Sequence, residues 1–71
     1  MKYAIIDSAM GSVWIDKFDT KQEALKNAER EWSGFSKHDK DKRDGYAVVG
    51  FENEEAFDEF GEYNEIVKSY K

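Results

Sequence analysis

The chain predicts an α+β fold: a three-stranded, mainly antiparallel sheet in the order 2-1-3, one principal helix after an N-terminal hairpin, and a smaller C-terminal helical segment. Three observations carry this expectation. Residues 19–35, DTKQEALKNAEREWSGF, combine a helix start signal, an apolar stripe and a stop signal. KYAIID and YAVVGF are β-favouring and apolar on both sides of a pleat, so each needs cover on two faces. After Asn53 the apolar period lengthens from two to three and four residues.

In order, Lys2 to Asp7 places Ala4 and Ile6 on one side of the pleat and Tyr3 and Ile5 on the other, which suits a central strand. Ser8 to Gly11 reads as a hairpin loop. Val13 to Phe18 alternates, with Val13 and Ile15 on one face and Trp14, Asp16 and Phe18 on the other, as an edge strand kept soluble by its charges.

The helix opens on a capping box, Thr20 with Glu23. Ala24, Leu25, Ala28 and Trp32 share one face, and Gly34 is expected to close the helix in the left-handed conformation. Ser36 with Asp39 is a weaker capping box that predicts a turn of helix in the apolar-free stretch SKHDKDKR.

Tyr46 to Phe51 is a strand in which Gly50 predicts a bulge or a close backbone approach. Asn53 is an N-cap with Glu54 and Glu55 in the favourable first turn. Ala56, Phe60, Tyr63, Val67 and Tyr70 step four, three, four, three. The expectation is a helix from about Glu54 to Phe60, a break at Gly61 and a second helical piece to the end, with a final strand EIVKSY as the alternative.

With 71 residues there is room for one compact domain, 1–71, and little for a deep cleft with a supporting shell. There is no cysteine, hence no disulfide framework and no thiolate metal site. MKYAIID is too short for a signal peptide or a membrane span, so a cytoplasmic protein without a membrane association is expected.

Charge divides unevenly. Residues 1–43 carry nine Lys or Arg against eight Asp or Glu, and residues 44–71 carry two against eight, which leaves the chain at −5. An acidic chain gains little from the counterion release that drives nucleic-acid binding.

No residue set announces catalysis. His38, the sole histidine, stands between Lys37 and Asp39 and reads as a solvated loop residue. The acids Glu52, Glu54, Glu55, Asp58, Glu59, Glu62 and Glu65 lack the spacing of a calcium loop and read as a solvated helix face, or as a docking surface for a basic partner. No cofactor is expected.

Two binding readings remain. In the first, the protein is a non-enzymatic interaction module for an unknown protein partner. Apolar residues Trp14, Phe18 and Tyr46 lie on the second sheet face, and Glu55, Asp58, Glu59 and Glu62 steer the encounter. Either the C-terminal helix covers that face, the expected solution for a small domain, or it is open to a partner or to a second copy as a homodimer. In the second, Lys37, Lys40, Lys42 and Arg43 contact nucleic acid, although Asp39, Asp41 and Asp44 cancel most of their field.

The segment AEREWSGFSKHDKDKRDGYAVV resembles a group of small proteins of gut Firmicutes, in which a helix ending Glu-Trp precedes a Ser-x-x-Asp-Lys-x-Lys/Arg loop and an aromatic-containing strand. The matching residues are Glu31, Trp32, Ser36, Asp39, Lys40, Lys42, Arg43 and Asp44, and the likeness covers most of residues 1–50. The resemblance implies a bacterial, cytoplasmic, compact domain. That group has no assigned activity, so no functional residue carries over.

Overall fold

The computed structural model describes residues 1–8 and 13–71, with the side chains of 13–15 outside the description. Most of the expected hairpin loop therefore lies outside the described residues. The element order is β1 (Lys2–Asp7), β2 (Val13–Phe18), α1 (Lys21–Gly34), α2 (Lys37–Lys42), β3 (Tyr46–Phe51), α3 (Glu54–Phe60) and β4 (Glu65–Ser69). The sheet is antiparallel at every pairing, in the order β2-β1-β3-β4. The α+β class and the 2-1-3 core of the sheet match expectation, but among the described residues there are four strands and three helices.

The fourth strand corrects the second helical piece expected at the C-terminus and agrees with the alternative, a final strand EIVKSY. Gly61 takes φ 70° and closes α3, its amide donating to the Phe57 carbonyl at 2.9 Å. Asn64 then clasps the end of β3: its amide donates to the Gly50 carbonyl at 2.8 Å, and its Oδ1 accepts from the Glu52 amide at 2.8 Å. From there the chain satisfies β3's second edge, which would otherwise present unpaired donors and acceptors. The pairing continues past β4, where the Tyr70 amide donates to the Tyr46 carbonyl at 2.8 Å.

Both capping boxes form. Thr20 Oγ1 accepts from the Glu23 amide at 3.2 Å and Ser36 Oγ from the Asp39 amide at 3.1 Å. Gly34 does not take the left-handed conformation. It is the last residue of α1, and Phe35, extended at φ −75° and ψ 140°, leads directly to the Ser36 cap of α2. Gly50 marks a close approach as expected. A Cβ there would stand 2.7 Å from Met1 Sδ, just before β1, and 3.1 Å from Glu65 Cγ on β4.

The sheet has two unequal layers. On one face α1 lays Ala24 and Ala28 against Ile5, Tyr46 and Val48, all fully buried, with Tyr3, Phe18, Leu25, Trp32, Phe35, Val67 and Tyr70 around them. On the other, Ala4, Val49, Phe51 and Phe57 form a smaller cluster under α3, with Ile6 beside it. Each face buries three large side chains, Ile5, Tyr46 and Val48 on one and Val49, Phe51 and Phe57 on the other, and a fully buried Val, Ile or Phe contributes roughly 1.5–3 kcal/mol; the α1 face adds the wider margin of partly buried residues.

Phe18 and Tyr46 therefore lie on the α1 face, which corrects their expected place on the second one. For Tyr46 the strand period decides: Tyr46 and Val48 alternate with Ala47, Val49 and Phe51, and of the latter set Val49 and Phe51 meet Phe57 of α3. For Phe18 the cause is a register shift in the β1–β2 pairing. Ala4 pairs Lys17 and Ile6 pairs Trp14, so two residues of β1 span three of β2. That irregularity shifts the alternation of β2 against β1, and the Phe18 side chain packs with the α1-face cluster. Trp14 stands opposite Ile6 and Phe18 opposite Tyr3.

Candidate functional site

The C-terminal acids divide into two groups. Asn53 caps α3, with Oδ1 accepting from the Ala56 amide at 3.0 Å, and Glu54 and Glu55 occupy the first turn, where the helix dipole favours negative charge. Glu54 and Asp58, one turn apart, both reach Lys17 on β2. The ammonium stands 2.8 Å from Glu54 Oε2 and 2.8 Å from Asp58 Oδ1. Hydrogen bonds to Asp58 and Glu54 raise the Lys17 pKa, and the bond from Lys17 lowers that of Glu54. The pairing ties α3 to the edge of the sheet, so Asp58 is an anchoring residue. Glu55, Glu59 and Glu62 are exposed and make no ion pair among the described residues.

Beside these free carboxylates stand aromatic rings. Phe57 is buried and stacks on Phe51 with ring centroids 4.2 Å apart and planes 6° from parallel. Phe60 is 73% exposed, Tyr63 43% and Ile66 56%. The sequence stripe assigned Phe60 and Tyr63 to a buried helix face. In a helix of two turns, Phe57 is the residue buried against the sheet, and Gly61 redirects the chain before Tyr63. The breaker at Gly61 and the surrounding acids were the signals that pointed outward.

Elsewhere on the second face, Ile6, Ala47, Ile66 and Ser69 line part of a recess of about 250 Å³ toward the Tyr46 end of β3, away from Phe51 and Phe57. The expected interaction residue Trp14 has its side chain outside the description. Phe18 is half-buried against the α1 cluster. Tyr46 is 0% exposed and meets no solvent.

Tyr46 is instead the hub of an aromatic cluster. Trp32 stacks on it at 5.2 Å and 26°, while Phe35 and Tyr70 present their edges at 5.5 and 5.8 Å. Its hydroxyl donates to Glu31 Oε2 at 3.3 Å, and burial, reinforced by the Glu31 charge, pushes its pKa well above the ordinary 10. The Tyr70 hydroxyl is buried without a hydrogen-bond partner among the described residues, and burial raises its pKa too.

The four cations of the basic turn do not form one stripe. Arg43 turns inward: Nε donates to Asp7 Oδ2 at 3.0 Å, Nη1 to the Asp39 carbonyl at 2.6 Å, and the guanidinium lies 3.8 Å over the Phe35 ring. Lys40 sits 5.2 Å over Trp32. Lys37 and Lys42 remain exposed beside His38 and Asp41. The expected contact set of Lys37, Lys40, Lys42 and Arg43 thus loses Arg43 to a part-buried ion pair.

Among the described residues no three of His, Cys, Asp and Glu are grouped so as to hold a metal ion, and no helix is long and apolar enough to cross a membrane. No protein-family model matches the chain, and no curated protein or solved structure matches it.

Proposed function

We propose that the protein is a small, non-enzymatic, cytoplasmic interaction module that engages a protein partner through its acidic C-terminal surface. The observation that carries this reading is Phe60, a large apolar ring left exposed at the end of α3 beside Glu55, Glu59 and Glu62, which make no ion pair among the described residues. Exposed aromatics within a charged rim are the composition of a protein interface, in which the ring supplies affinity and the charges supply steering. A nucleic-acid reading has less support: of its four cations, Arg43 is engaged by Asp7, and Lys40 lies over an indole ring.

The test is recovery of the tagged protein from host lysate, with and without nuclease. A defined protein that survives nuclease and moderate salt is the expected result. Recovery of nucleic acid alone, or of partners that vanish with nuclease, would overturn the reading.

A further inference from the structure

The outer face of α3 and the turn that follows it form a small, polarised surface. Two shallow recesses of about 160 Å³ flank Ala56. One is bounded by Glu55, Glu59 and Phe60, the other by Glu62 and Tyr63. Each has room for an aliphatic side chain and is too small for a drug-sized ligand. Glu55 and Glu59 are one helical turn apart, a like-charge pair that destabilises a helix unless a cation bridges it. The available lysine, Lys17, is held on Glu54 and Asp58. Residues 52–65 contain seven acids and no Lys or Arg.

We propose that this outer face of α3 docks a short, basic, amphipathic peptide segment of a partner protein. An apolar side chain of the segment seats over Ala56 between Phe60 and Tyr63, and its Lys or Arg side chains bridge Glu55, Glu59 and Glu62. The inference rests on the interaction-module reading and specifies its site. Charge selects the occupant: a second copy would bring the same carboxylates against these, and nucleic acid or an anionic lipid surface would be repelled.

The test is a titration of the isotope-labelled full chain with a synthetic Leu/Lys amphipathic peptide of about 14 residues. Controls are the same peptide with Ser in place of Leu, and with Glu in place of Lys. Saturable amide shifts confined to the neighbourhood of Ala56, Phe60, Gly61 and Tyr63 are expected from the first peptide alone. Phe60→Ser and Glu59→Lys should each weaken that binding about tenfold while leaving the rest of the spectrum in place.

Equal binding of the Ser-for-Leu peptide, shifts spread over the molecule, or indifference to Phe60→Ser would overturn the site. So would a dimer, in the absence of peptide, that Phe60→Ser dissolves. In the lysate experiment, a nuclease-resistant protein partner that both variants retain would overturn this site and leave the interaction module standing. The lack of any such partner would remove the module and the site with it.

Discussion

The two faces of the sheet solve the same problem in different ways. Under α1, a fourteen-residue helix with a continuous stripe seals Tyr46, Val48 and Ile5 completely, and a ring of aromatics closes the margin. Under α3, a seven-residue helix contributes a single buried ring, Phe57, and is tied to the sheet edge by Lys17. Both faces are held by burial, but the first is closed by a wide margin of partly buried aromatics and the second only by a short helix with an exposed ion triplet at its rim. The side with the shorter cover is where large apolar residues of the domain reach solvent.

The difference can be broken at its strongest point. Tyr46→Ala removes the hub of the α1-face cluster and should cost about 3–5 kcal/mol, most of the stability of so small a domain. Urea unfolding monitored by circular dichroism should show the transition displaced to very low denaturant. Phe57→Ala should cost less, about 2–3 kcal/mol, because α3 can detach without opening the other layer. Hydrogen exchange should then show lost protection across Glu54–Phe60 with α1 still protected; equal loss in both helices would mean that the layers are one cooperative unit.

A finer test uses pH. The Tyr46 pKa is raised in the folded state, so the folded protein holds this proton where the unfolded chain has released it. The stability it contributes is complete below the unfolded value near 10 and declines as pH rises beyond it. Tyr70 and Lys17 shift in the same direction, so the informative quantity is a difference. Tyr46→Phe should make the alkaline decline shallower, at a neutral-pH cost of about 1 kcal/mol for the lost hydrogen bond to Glu31. Identical alkaline slopes would rule out Tyr46 as a source of the decline.

The smallest effect belongs to the ion triplet. Lys17→Met should leave global unfolding nearly unchanged and speed exchange of the α3 amides, since solvent-exposed pairs contribute little to overall stability. Because the Glu54 pKa is lowered, its share of the pairing is present above the ordinary carboxylate range and fades as pH falls through it. The α3 amides of the unaltered protein should therefore exchange more freely in acid than the intrinsic rate accounts for, and those of Lys17→Met should not.

Legibility in the sequence followed burial. The capping boxes at Thr20 and Ser36, the α1 stripe and the two doubly apolar strands were readable because local chemistry and core packing agree there. β4 was not. Its residues are mostly exposed, its apolar spacing suits a helix, and what makes it a strand is the open edge of β3, a partner distant in sequence. The assignment of Phe18 failed because the β1–β2 irregularity reverses the alternation, and a register shift leaves no mark in residue type. Within the candidate surface the acids were legible, but their division was not. Lys17 lies on another element, and its pairing separates Asp58 from Glu59.

The stacking of Trp32 on Tyr46 has an optical consequence. An indole held against a phenol ring in a fixed, asymmetric orientation gives near-ultraviolet circular dichroism that disappears when packing loosens. Phe51 and Phe57, the stacked pair under α3, are weak chromophores by comparison. The Trp32 band should therefore report on one layer and be nearly blind to the other. A species with α3 peeled away would look native at these wavelengths while exposing Phe57, and fluorine labels on the phenylalanines would be needed to see it.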